Sequence, residues 1–164
     1  MGTRIRLATA GDASAACAVV RRSIAACCVD DHHNDPALID SWLKNKTVPQ
    51  FLAWMDHPAA FSVVAERQGT VVGFAMAQGG EIQLCYLVPE ARFEGTGQSM
   101  LAALESHAAQ AGAHSLHLRS TRTAQAFYLR HGFVPTGPAV FAFGFESQPM
   151  HKALTPMTIH TPPA

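Results

Sequence analysis

Lysine is scarce in this sequence. It stands only at Lys44, Lys46 and Lys152, the other basic residues are arginine, and no basic run is longer than Arg21-Arg22. Twelve basic residues meet twelve acidic ones, so there is no single-sign field, and nucleic acid is not expected as the main partner. Long apolar runs are missing as well. Nothing approaches the roughly 18 to 20 residues that a membrane helix needs. Residues 4–7 alternate arginine with isoleucine and leucine where a signal peptide would carry an apolar block. No membrane association is expected, and the chain reads as cytoplasmic. The four cysteines, Cys17, Cys27, Cys28 and Cys85, show no C-x-x-C spacing and are too few for a disulfide scaffold, which leaves reduced, mostly packed thiols.

With 48% apolar and 15% charged residues in 164, the composition excludes a disordered chain and suits one domain that buries about two-thirds of its unfolded surface. That domain is expected over residues 1–154. Residues 155–164 hold three prolines and little to pack, and read as a loosely ordered tail. Alternation predicts a strand over residues 3–8, and three-four apolar spacing a helix over 11–28. The polar run from Asp30 to Asp35 then breaks the helix. Two further helical segments follow, over 37–46 and through Pro49 to Met55. Residues 61–66 and 71–77 read as a hairpin and 81–88 as a third strand. A helix over 97–112, a strand over 115–119 and a helix over 123–131 come next, then two strands near 133–136 and 140–146. The order is that of an α/β chain with a mixed sheet and no internal repeat.

The most informative segment is the strand from Glu81 to Val88 that runs through Arg92, Gly95 and Gly97 into a helix. Glycines at a helix start let the backbone approach a ligand, and the free amides there suit a phosphate group. Both common nucleotide patterns fail. Gly-x-x-x-x-Gly-Lys-Ser/Thr is absent, and Met100 stands where a dinucleotide fingerprint needs its third glycine.

Arg92-x-x-Gly95-x-Gly97 after Val88-Pro89-Glu90 resembles the acetyl-coenzyme-A signature of the GNAT superfamily of N-acetyltransferases. The stretch Ala124-Gln-Ala-Phe127-Tyr128-Leu-Arg-His-Gly132-Phe133, about thirty residues downstream, resembles that family's second motif. The resemblance covers most of the chain. It implies a single α/β (α+β) domain with a mixed, mostly antiparallel central sheet flanked by helices. It also implies acetyl-CoA as cosubstrate. The amides of Phe93, Glu94, Gly95, Thr96, Gly97 and Gln98 would cradle the pyrophosphate, and Arg92 would open the loop. Cys85, Tyr86 and Leu87 would align the pantetheine arm and supply an oxyanion donor. Thr121 stands where the family commonly has asparagine, and its hydroxyl would cap a helix or hold the cofactor chain.

Direct attack of an amine on a thioester needs a neutral amine, a polarised carbonyl and a proton for the departing thiolate. By the resemblance, Tyr128 is the general acid and Glu81, opening the strand to the cofactor loop, is the base. A packed tyrosine and a solvated carboxylate are the competing readings. Strand alternation would put Glu81 on one face with Gln83, Cys85 and Leu87. Cys85 as an acyl-carrying nucleophile is disfavoured by the lack of a histidine in sequence reach. Cys27-Cys28 fits a helix end facing the core, with a part in the acceptor pocket as the alternative.

Asp30, Asp31 and His32 are candidates for binding a cationic acceptor, with Trp42, Phe51 and Trp54 as apolar walls. A solvated helix connection explains the same residues. Although the cluster resembles a metal site in composition, no metal is expected, because zinc ligands usually come from separate segments. The functional expectation is transfer of acetyl to a primary amine, in a small molecule or a peptide, by direct attack in a ternary complex. The rival is a non-catalytic acyl-CoA-binding or regulatory protein on the same scaffold. The homodimer remains an open form of assembly.

Overall fold

The structure, a computed structural model, describes residues 2–155. The expected tail therefore lies, Thr155 apart, outside the described residues. Strand β1 (Arg4–Leu7) leads through a 3-10 turn (Ala10–Asp12) into helix α1 (Ala13–Cys27). Three short helices follow: α2 (Val29–His32), α3 (Pro36–Leu43) and α4 (Val48–Met55). Strands β2 (Ala60–Arg67), β3 (Thr70–Gln78) and β4 (Glu81–Leu87) form a meander, and a 3-10 turn (Pro89–Ala91) leads to α5 (Thr96–Gln110). The chain ends with β5 (Ser115–Ser120), α6 (Gln125–Arg130), β6 (Val134–Pro135), β7 (Val140–Ala142) and β8 (Phe145–Ala153).

All eight strands join one sheet in the order β1-β2-β3-β4-β5-β8-β6, with β7 on β8. Every pairing is antiparallel except that of β4 with β5. The sheet is thus mixed and mostly antiparallel. Apolar spacing explains the two layers against it. Ala13, Ala16, Cys17, Val20 and Ile24 recur at three-four intervals on α1 and pack with Phe51, Val64, Phe74, Met76 and Leu84 on one face. Met100, Leu101, Leu104 and Ala108 of α5 pack with Ala75, Leu116, Leu118, Tyr128 and Met150 on the other. Phe51, expected beside the acceptor, is fully buried in the first of these cores instead.

Two expectations near the helices and the C-terminus need correction. Asp30, Asp31 and His32 do not lie in a polar break: they form the single turn of α2, which His33 and Asn34 end in left-handed geometry (φ 53° and 58°). The last strand is not residues 140–146. Those residues make a hairpin, Phe143-Gly144 at its tip, from which β8 runs nine residues to Ala153. The lower half of β8 sits between β5 and β6, satisfied on both edges, and that double pairing outweighs its polar composition.

Candidate active site

β4 carries the site because it loses a neighbour. It pairs with β5 only at Glu81–His117 and Ile82–Leu118, while its other edge stays on β3 as far as Leu87. The Val88 amide donates to the Val72 carbonyl at 3.0 Å. In an antiparallel pair only every second residue bonds to the partner. Leu84 and Tyr86 therefore bond to β3, and the N–H and C=O groups of Cys85 and Leu87 point to the edge that β5 has left. Such an edge is complementary to an extended, amide-bearing ligand.

The loop after β4 completes the ligand's outline. Arg92 is extended, Phe93 and Gly95 are left-handed (φ 64° and 84°), and α5 begins at Thr96. Glycine takes the Gly95 conformation without the strain that a Cβ would add. Gly97 answers a different need: a Cβ there would stand 3.2 Å from the Phe127 ring of α6. The first amides of α5 have no partner within the helix, and Gly95 has no side chain to cap them, so the helix start offers donors and a positive dipole end to an anion. The Phe93 ring is 88% exposed and lies 4.7 Å from the Arg92 guanidinium. Glu94 turns away, and its carboxylate accepts a hydrogen bond from Arg67. Thr96 is buried.

Edge and loop border a cleft of about 510 Å³. One wall is the end of α1, with Ser23, Cys27 and Cys28; another is Cys85, Tyr86 and Leu87. Arg92, Phe93, Gly95, Gly97 and Gln98 form the loop side, and Thr121, Thr123, Phe127, Arg130 and His131 close it from the β5–α6 segment. Ser23, Arg130 and His131 were not singled out in the sequence. The spacing of Phe127, Arg130 and His131 along one helical face is the signal that could have found the last two. The Thr121 hydroxyl accepts from the Ala124 amide at 3.1 Å, which holds the turn leading into α6, and Thr121 also lines the cleft.

Tyr128 lies behind the cleft wall, 6% exposed, wedged edge-on against Phe127 and Phe133. Burial first, then the neighbouring Cys85 and Tyr86 side chains, push its hydroxyl well above the ordinary tyrosine value of 10. It therefore stays protonated at neutral pH. Burial also pushes the Cys85 thiol, a neighbour of Tyr128, up to about 12. Cys85 is thus a thiol and not a ready nucleophile.

Glu81 is placed differently from its expected alternation. The register of β4 on β3 slips between Ala77–Ile82 and Met76–Leu84, which makes Gln83 the extra residue of a β-bulge. Glu81, opposite Gln78, consequently shares a face with Leu84 and Tyr86, not with Cys85 and Leu87. It is half-buried, beside His117 of β5, and outside the cleft lining.

The expected acceptor residues are tied into the fold. Asp31, 7% exposed, accepts from the Arg122 amide at 2.8 Å, the Thr123 amide at 3.1 Å and the Thr123 hydroxyl at 2.6 Å. His32 is fully buried, with Nε2 donating to the Ile24 carbonyl at 2.8 Å and Nδ1 accepting from the Asn34 amide at 3.0 Å. Both side chains are occupied, so the structure does not bring them to an acceptor. Asp30 is exposed on the outside of the turn. Trp42 packs tilted against Phe145 at 4.9 Å, against the α1 core that Tyr86 also touches, and is not part of the cleft lining. No three His, Cys, Asp or Glu side chains among the described residues come together to hold a metal.

A β4 strand freed on one edge, ending in a glycine turn at a helix start, defines a domain suited to a ligand that is extended and amide-bearing along the strand and anionic at the turn. The model of the acetyltransferase (GNAT) domain matches residues 30–154, and the chain belongs to that family. An amino-acid acetyltransferase of Pseudomonas putida strain GB-1 is 39% identical over 83 residues, 47% of this chain; the chain spans 19% of that relative's length. Among solved structures, a GCN5-related N-acetyltransferase of Rhodopseudomonas palustris superposes with a TM-score of 0.83 at 24% identity over 94% of this chain and 97% of that one. A PaiA N-acetyltransferase of Thermoplasma acidophilum, in complex with coenzyme A, gives 0.78 at 19% identity over 93% and 99%. No helix among the described residues is long and apolar enough to cross a membrane.

Proposed function

We propose that the chain is an acetyl-CoA-dependent N-acetyltransferase that passes the acetyl group to a primary amine by direct attack in a ternary complex. The observation that carries this reading is the coincidence of the free β4 edge, the Gly95–Gly97 turn and the buried hydroxyl of Tyr128 around one cleft. Acetyl-CoA supplies an activated acyl group with a thiol leaving group. The amides from Phe93 to Gln98 hold its pyrophosphate, Arg92 adds charge, and Cys85 and Leu87 bond to the pantetheine amides as a neighbouring strand would. An edge-facing amide of Cys85 or Leu87 donates to the carbonyl oxygen as it gains charge, which is the oxyanion role. Tyr128 gives its proton to the departing sulfur. Glu81, on the Tyr86 face, takes the amine proton through water.

The acceptor enters beside Tyr86 and the end of α1. The curated relatives are named amino-acid acetyltransferases, which makes amino acids the first acceptors to try. We place the protein in the cytoplasm, where its four free cysteines stay reduced. The experiment is a thiol-release assay with acetyl-CoA against amino acids, polyamines, aminoglycosides and peptide N-termini. Coenzyme A released only when an amine is present supports transfer; tight acetyl-CoA binding with no release against any amine makes the chain a binding protein.

A further inference from the structure

Three of the four cysteines line the cleft, an arrangement that the transfer chemistry does not use. Cys27 and Cys28 stand at the end of α1, and Cys85 lines the same cleft from β4, with its side chain on the α5 face of the sheet. Arg22, on the same helix, grips Glu90 with two hydrogen bonds of 2.6 and 2.7 Å and so fixes this helix end beside the cofactor loop. Burial pushes the thiols of Cys28 and Cys85 up to about 12, which keeps them protonated. Cys27 differs in access: it is only half-buried, on the last turn of α1.

We propose that Cys27 is a thiol–disulfide exchange site for disulfides of coenzyme A, so that the enzyme is reversibly blocked by the oxidised form of its own product. The inference rests on the acetyl-CoA reading above. One half of such a disulfide fits the loop and the free β4 edge as acetyl-CoA does, which brings its sulfur to the Cys85–Tyr128 position. The other half must leave the cleft along the acceptor side, past Ser23 and Cys27. In the exchange the Cys27 thiolate attacks one sulfur of the disulfide and a new S–S bond forms to Sγ. The old S–S bond breaks, and one coenzyme A leaves as a thiolate that takes a proton from solvent. Cys27 is oxidised and the departing coenzyme A is reduced, so no other oxidant is needed. The retained half fills the cofactor site until an external thiol reverses the exchange.

The test uses the full chain, coenzyme A disulfide as the probe and intact mass as the readout. The expected result is addition of one coenzyme A per chain, at a rate about tenfold or more above that with glutathione disulfide, because binding raises the local concentration of the probe. Saturating acetyl-CoA should suppress the addition. Turnover should be lost in step with it and return with dithiothreitol. Cys27→Ser should abolish the adduct and keep acetyl-CoA binding, whereas Cys28→Ser should retain the adduct. An adduct on Cys28 or Cys85, an equal rate with glutathione disulfide, or no adduct in a protein that binds and turns over acetyl-CoA would overturn the proposal. Failure to bind acetyl-CoA by calorimetry would overturn the functional reading beneath it.

Discussion

Replacing Asp31 tests whether α2 is a structural clasp or part of an acceptor pocket. Its carboxylate joins α2 to the start of α6, more than ninety positions along the chain, through three donors on Arg122 and Thr123. Asp31→Ala leaves two main-chain amides and a hydroxyl without that partner in a part-buried place. An unsatisfied buried donor costs about 1–3 kcal/mol, so a total loss of about 3–4 kcal/mol is expected once partial access to water is allowed for. Asp31→Asn keeps one oxygen but turns an NH₂ group toward an N–H, for a loss of about 1–2 kcal/mol. At roughly 2–4 °C of Tm per kcal/mol for a domain of this size, alanine should lower Tm by about 6–16 °C and asparagine by about 2–8 °C. Urea titration at neutral pH gives the free energies, and calorimetric titration gives the acetyl-CoA affinity. That affinity should weaken too, because Thr121 and Thr123 line the cleft. An Asp31→Ala protein as stable as the parent, with only the acceptor KM raised, would refute the clasp and return Asp31 to the acceptor.

The other outcomes concern the cofactor loop, the acid and the N-terminus. Tyr128→Phe should lower kcat by about 10²- to 10⁴-fold with little change in acetyl-CoA affinity. Because its hydroxyl is raised above 10, Tyr128 should give the parent's pH–rate profile no falling limb below pH 10; undiminished turnover in the variant would make this tyrosine structural. Gly95→Val meets open space, yet it must hold φ near 84°, so a folded protein with reduced acetyl-CoA affinity by calorimetry is expected. Arg67→Ala frees the Glu94 carboxylate beside the loop proposed to hold the pyrophosphate, so KM for acetyl-CoA should rise with kcat kept, and adding Glu94→Gln should reverse much of the rise; no reversal would locate the defect elsewhere. The hydrogen bonds of Arg6, then those of Thr9, lower Asp12 from 3.8 to about 2. A lowered folded-state value stabilises above the unfolded value, so about 2 kcal/mol should be present above pH 4 and disappear as pH falls toward 2. Asp12→Asn should remove that part of the acid-unfolding slope.

Local pattern revealed much of this molecule. The three-four spacing on α1 and α5, the β2–β3 hairpin and the glycine turn after β4 are written in short stretches, and each packs as its spacing requires. Long-range pairing decided the rest. Gln148, Pro149, His151 and Lys152 show no strand alternation, and β8 forms because β5 and β6 supply both its edges. Nothing in Glu81 to Leu87 announces the bulge at Gln83, which turns Glu81 to the other face. The run from Asp30 to Asp35 looks solvated because the amides that bind Asp31 lie far along the chain. Cleft residues within the two motifs were legible. Those on α1 were not, since Ser23 and Cys27 are small side chains whose position depends on how the helix ends against the cofactor loop.

The missing neighbour along β4 also bears on handling the protein without ligand. A strand edge with unused N–H and C=O groups invites any extended segment to pair with it, including a strand of another molecule. Here the vacancy lies in a cleft beside β5, which blunts the hazard, and under the proposed function the coenzyme that fills it would act as a removable ninth strand. A chain kept saturated with that ligand is thus guarded against stray pairing as well as ready to react. A chain stripped of it during purification loses that protection at the place where its backbone is most receptive.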